Sequence, residues 1–218
     1  VTFINKVGLE IEGGWDGTPG LSPFEDAVLF ADGSIDGQTR DPNEGVLETT
    51  HVGEVISTPL ARPEVEEWLK VHWPNATNRT CGYHIHVSLL SKKSYVLLTR
   101  KGFMLRLRKK FLALGEEVKL PSKHPFWKRM SGENTFCQMH FDAGKQINIK
   151  VKRHNDRTRY GFLNFAYNVH GTLELRGLPT FRDFPIALTF TNCFLDFVEE
   201  YLTEQSSVQW KRSASLAA

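Results

Sequence analysis

Three short segments place a charged or imidazole side chain at every second position of an otherwise apolar run: VGLEIE at 7–12, YHIHV at 83–87 and TLELR at 172–176. Such alternation reads as extended strand, because successive side chains of a strand point to opposite faces of its sheet. Residues i and i+2 then share a face about 7 Å apart. Glu10 and Glu12 share one face while Leu9 and Ile11 take the other. His84 and His86 oppose Tyr83, Ile85 and Val87, and Glu174 and Arg176 oppose Leu173 and Leu175. Glu54 lies on a further predicted strand, VLETTHVGEVIS at 46–57, with a bulge expected at Gly53 and with Glu48 on the same parity. A chain with these segments must bury one face of a sheet and find a use for the other.

An ordinary solvated sheet face favours Thr, Lys, Ser and Gln, and like charges set against one another destabilise a sheet. Divalent cations neutralise clustered carboxylates. Oxygen-rich ligand sets suit Mg²⁺, and an added imidazole moves the preference toward Mn²⁺. Glu10 and Glu12 therefore read as ligands of a small ion cluster.

The remaining pattern is mixed. FINKVGLEIE at 3–12 reads as the first strand, GGWDGTPGLSP at 13–23 as a loop, and AVLFADGSI at 27–35 as a strand entering a turn. Pro63 opens a helix that Pro74 ends, with Val65, Trp68, Leu69 and Val71 on its apolar side. From Ser94 to Glu117 the period is helical, with a stripe of Val96, Leu97, Phe103, Leu107, Phe111 and Leu114. A strand is expected at 146–153, and a hairpin with a tight turn at 159–178. An amphipathic helix is expected at 184–202. Trp68, Phe103, Phe111, Phe190, Phe194 and Phe197 are expected in the core. These elements predict an α+β fold with a mainly antiparallel sheet, a single domain over 1–205 and a polar, flexible tail over 206–218.

The net charge of +2 conceals a local excess. Residues 100–129 carry ten Lys and Arg against Glu116 and Glu117. That region predicts either a solvated helix face or a docking site for an acidic or polyanionic partner, nucleic acid included. Three cysteines without a CxxC pair exclude a disulfide framework and predict a reducing, cytoplasmic setting. No apolar run is long enough to span a membrane. Cys81, His84 and His86 also fit a zinc site, as in a hydrolase with Glu10 as base, although C-x₂-H-x-H is short for one.

Six motifs occur in a fixed order: GLEIE (8–12), DGS (32–34), GEVIS (53–57), GYHIHVS (82–88), RYGFLN (159–164) and TLELR (172–176). Together they resemble the amidoligase family, of the carboxylate–amine ligase superfamily that includes glutamine synthetase and glutamate–cysteine ligase. The resemblance covers both ends of the chain and leaves 92–158 unmatched. It implies a curved, mainly antiparallel sheet, a glutamine synthetase-like funnel, with helices on the outer face and ATP and Mg²⁺ in the hollow. It implies an ATP-dependent ligase, of bacterial or phage type, that joins a carboxylate substrate to an amine through an acyl phosphate. By the same resemblance Glu10, Glu12, Glu54, His84 and Glu174 are metal ligands. His86 approaches the ATP phosphates, and Arg176 and Arg159 face the transferring phosphoryl group. Asp32 and Ser34 lie on a nucleotide- or substrate-side loop. The chain departs from the family pattern in having GLPTF after TLELR.

Overall fold

The computed structural model describes residues 2–16, 28–30, 35, 49, 51–134, 137–139 and 160–216. The alternating segments become strands β1 (Ile4–Trp15), β3 (His51–Ile56), β4 (Gly82–Leu89) and β6 (Thr172–Pro179). Two short strands, β2 (Val28–Phe30) and β5 (Leu163–Ala166), complete an open sheet of order β2-β3-β1-β4-β6-β5. Every neighbouring pair is antiparallel. The helices are α1 (Val65–His72), α2 (Lys92–Leu98), α3 (Lys101–Glu117), α4 (Pro125–Ser131) and α5 (Phe184–Leu216). The architecture is α+β, as predicted.

The apolar face of the sheet makes the core. Val7, Leu9, Ile11, Tyr83, Ile85, Val87, Leu173 and Leu175 are fully buried in one cluster with Trp68, Phe103, Phe111, Phe190, Phe194 and Phe197. The Tyr83 hydroxyl, the one polar tip in that row, meets Thr191 Oγ1 at 2.7 Å. Truncating a buried Phe in such a core costs about 3–5 kcal/mol. The aromatic core was therefore legible from sequence.

Several local expectations are corrected. β1 runs through Gly13 and Gly14 to Trp15 instead of ending in a loop at 13. Both glycines serve close approach: a Cβ on Gly13 would lie 2.6 Å from Pro74 Cβ, and one on Gly14 2.2 Å from Thr49 Oγ1. Gly53 pairs in register with Gly13, without the expected bulge. On α1, His72 rather than Val71 turns inward, while Val71 is exposed. The helical pattern over 94–117 is two helices, separated where Arg100 is extended. Val96 faces solvent, with Tyr95 and Leu98 buried in its place. The β5–β6 hairpin forms, but one helical turn, Tyr167–His170, replaces the tight turn, and Gly171 closes it at φ +68°. α5 continues to Leu216, through most of the segment expected to be a tail. The strand predicted at 146–153 lies outside the described residues.

Candidate metal centre

The register of the four central strands brings the polar side chains into facing rows. Glu10 on β1 pairs with His84 on β4, and Glu12 pairs with Glu54 on β3. His86 pairs with Glu174 on β6, and Glu174 pairs on its other side with Asn164 on β5. The β4–β6 register shifts between Tyr83 and Ile85, so that Arg176 and Gly177 together oppose His84. An extra residue of this kind bends a strand and re-aims a side chain. It also requires a glycine, since a Cβ on Gly177 would sit 2.1 Å from the buried Phe162 ring.

Contacts tighten the rows into one cluster. His84 Nδ1 lies 2.9 Å from Glu10 Oε2, and His86 Nε2 lies 2.9 Å from Glu10 Oε1. The second contact is an electrostatic one, outside hydrogen-bond alignment, and leaves that buried nitrogen without a hydrogen-bond partner. His84 Nδ1 is also 3.8 Å from Glu174 Oε1, and its Nε2 is 4.0 Å from Glu12 Oε1. Glu174 is held at both oxygens: Arg176 Nη1 donates to Oε1 and Asn164 Nδ2 to Oε2, each at 2.6 Å. The Gly82 backbone N–H donates a short hydrogen bond to Glu12 Oε2.

This packing tunes the acids and the imidazole in opposite directions. Burial pushes the Glu10 carboxyl up, but the hydrogen bond with His84, the close contact with His86 and the charge of both rings outweigh it and hold the group well below the usual carboxylate range. Burial likewise raises Glu174, and the charges of Arg176, His86 and His84 reverse that and leave it low. For His86, burial favours the neutral ring, yet contact with Glu10 and the charge of Glu174 raise its pKa above the ordinary histidine value. Glu10 and Glu174 are thus kept ionised, in a site where Glu12, His84 and Glu174 are each less than one-tenth exposed.

Two overlapping ligand sets result. Glu10, His86 and Glu174 form one, and Glu10, Glu54 and His84 the other; within each, the ligand atoms lie within 4.8 Å of one another. Carboxylate oxygens with one imidazole are the donors that suit Mg²⁺ or Mn²⁺. Two further features fit a cation. Gly82 preserves a cradle, because a Cβ there would fall 2.8 Å from His84 Nε2 and 3.0 Å from Glu12 Oε2. Asn164 Oδ1, an acceptor, is buried without a hydrogen-bond partner.

Of the predicted site residues, the structure brings Glu10, Glu54, His84, His86, Glu174 and Arg176 together, while Glu12 lies beside His84 but joins neither ligand set. Arg159, Asp32, Ser34 and Glu48 lie outside the described residues. Asn164 was missed as a site residue, although it ends RYGFLN; strand register, rather than residue type, would have found it. Cys81 does not join either ligand set. Its buried thiol meets Asn78 Oδ1 at 3.5 Å, and burial pushes its pKa up to about 11. In the basic region, Arg106 pairs with Glu204 and Lys110 with Glu200, Arg100 bonds Gln205, and Arg108 bonds the Met130 carbonyl. Arg100, Arg106 and Lys110 thus form a seam between α3 and α5, while Arg108 reaches α4.

No family model, curated protein or solved structure matches the chain.

Proposed function

We propose that this protein is an amidoligase-like, ATP- and Mg²⁺-dependent carboxylate–amine ligase of the cytoplasm, with the polar sheet face as the floor of a glutamine synthetase-like funnel. The observation that carries the reading is the sharing of Glu10 between two Glu/His ligand sets, with Arg176 half-buried beside them. Glu10, Glu12, Glu54, His84 and Glu174 would hold the metal ions, which supply charge neutralisation at phosphate oxygens when bound.

The chain's own groups then have defined tasks. Arg176, oriented by Glu174, directs its guanidinium at the γ-phosphoryl group. His86 offers a buried ring nitrogen to a phosphate oxygen, and Arg159 supplies a second cation. By the motif resemblance, Asp32 and Ser34 would serve the nucleotide or the substrate. The substrate carboxylate attacks the γ-phosphorus and ADP leaves. The amine then attacks the acyl carbon, phosphate leaves, and the amine proton passes to solvent. A site this buried protects the acyl phosphate from water. The acid and the amine are a small molecule, a peptide or a protein side chain.

The test is ADP release from purified protein supplied with ATP, Mg²⁺ and pools of carboxylates and amines, read beside Mn²⁺ binding by calorimetry. Metal-dependent ADP release that requires both an acid and an amine is expected. Absence of both Mn²⁺ binding and ADP release would overturn the proposal.

A further inference from the structure

Arg129 is the buried charge that the proposed chemistry does not use. It lies on α4, in the part of the chain that the motif resemblance does not reach, and it is only 3 % exposed. A buried guanidinium is expensive unless its donors are satisfied. Here Nη1 and Nη2 donate to backbone carbonyls at the ends of two site strands, while Nε is buried without a hydrogen-bond partner. Nη1 donates to the Leu178 carbonyl at 3.1 Å, and Nη2 to the Cys81 carbonyl at 3.1 Å and the Thr80 carbonyl at 3.5 Å.

The Cys81 carbonyl and the Gly82 N–H belong to one peptide group. The first accepts from Arg129, and the second donates to Glu12 Oε2. A cation at the carbonyl end polarises the peptide and strengthens its N–H as a donor to an anion. Thr180 fixes the same peptide from a third side: its N–H also donates to the Cys81 carbonyl at 3.1 Å, and its hydroxyl reaches the Glu12 and Gly82 carbonyls at 2.7 and 2.8 Å. A continuous relay thus runs from the guanidinium through one rigid peptide to the carboxylate.

We propose that Arg129 is a positioning residue, which sets the Glu12 carboxylate in the metal centre through the Cys81–Gly82 peptide. The inference rests on the reading of Glu12 as a metal ligand, but the relay itself can be read without metal. It gives α4 a role in the site although α4 sends no side chain to the metal ligands.

The experiment compares the wild type with Arg129→Met, Arg129→Lys and, as a control for packing loss on the same helix, Phe126→Leu. Two readouts are used: the Gly82 amide proton shift by NMR in metal-free protein, and Mn²⁺ affinity by calorimetry. The Gly82 proton, downfield in the wild type through its hydrogen bond to a carboxylate, is expected to move upfield in Arg129→Met. It should move less in Arg129→Lys and stay in place in Phe126→Leu. Mn²⁺ affinity should fall about tenfold or more in Arg129→Met, as for loss of other outer contacts of a metal ligand. An unmoved Gly82 amide in Arg129→Met, or an equal shift in Phe126→Leu, would overturn the inference. A wild type that binds no Mn²⁺ sinks the ligase proposal instead, and the amide shift still decides the relay. If Arg129→Met fails to fold, the same two readouts in Arg129→Lys decide it.

Discussion

Two concentrations of charge stand out in this molecule, and they differ in how they are held. On the helix side, Arg106 meets Glu204 and Lys110 meets Glu200, with all four side chains between 44 and 55 % exposed. On the far face of the sheet, Glu10, Glu174, His84, His86 and Arg176 meet with none above 22 %. Exposed pairs make small contributions and pack wherever two helices happen to touch. Buried ionised groups are costly and persist where every partner is placed. Only the second set has rigid strands, a bulge and a glycine cradle arranged around it. Charge density alone therefore does not locate a site, but charge held against burial does.

The largest expected effect tests that contrast at its centre. Glu10 belongs to both ligand sets, whereas Glu54 and Glu174 belong to one each. Glu10→Gln should reduce Mn²⁺ affinity by at least about 100-fold and abolish turnover, while Glu54→Gln and Glu174→Gln should each weaken binding less and leave a residual site. Calorimetric titration of the three Glu→Gln variants gives the ranking. Equal losses in all three would break the shared-ligand geometry.

That ranking could not have been drawn from sequence. Parity alone identified Glu10, Glu12, His84, His86, Glu174 and Arg176 as same-face residues, because a strand fixes its side-chain direction locally. It could not say which strands adjoin. Register was needed to set Glu12 against Glu54 and to find Asn164 beside Glu174. The bulge opposite His84 was invisible for the same reason, since it exists only as a mismatch between two strands. The core aromatics were legible because large apolar residues at helical spacing have few other places to go. Val71 was expected on the apolar side of α1, but His72 takes that place, because its fit depends on a stack with Trp68 and on a donor to that residue's carbonyl.

A pH series separates the two regions by sign. His86, on the polar face, has a raised pKa, caused by Glu10 and Glu174 overcoming its burial. Its contribution to the stability of metal-free protein is present below the unfolded value of about 6.5 and is lost as pH rises through the raised folded value. His72, on the helix side, has a pKa lowered by burial. Its neutral ring donates Nδ1–H to the Trp68 carbonyl at 2.9 Å, and its Nε2 is buried without a hydrogen-bond partner. Stability is therefore full above about pH 6.5 with respect to this group and falls as pH drops toward the lowered folded value. Thermal melts of metal-free protein should show both limbs. His72→Phe should make the acid limb shallower, leaving the part due to His124, which burial also lowers. An acid limb unchanged in His72→Phe would remove His72 from the account.

The smallest effect belongs to the exposed seam. Arg106 donates to both Glu204 oxygens, at 2.7 and 3.0 Å, an arrangement with good geometry but open to water. A double-mutant cycle on Arg106 and Glu204 should give a coupling of about 0.2–1 kcal/mol at low salt, shrinking as ionic strength rises. The single substitutions should nevertheless be unequal. Arg106 also lies over the rings of Phe197 and Tyr201, at 5.5 and 5.3 Å from their centroids, so Arg106→Ala removes packing and a cation–π contact that Glu204→Ala leaves intact. Arg106→Ala is therefore expected to destabilise more than Glu204→Ala, with Arg106→Met between them because its chain still covers the rings. A coupling of several kcal/mol that resists salt would show that this seam is held like the buried centre, and would erase the distinction between the two regions.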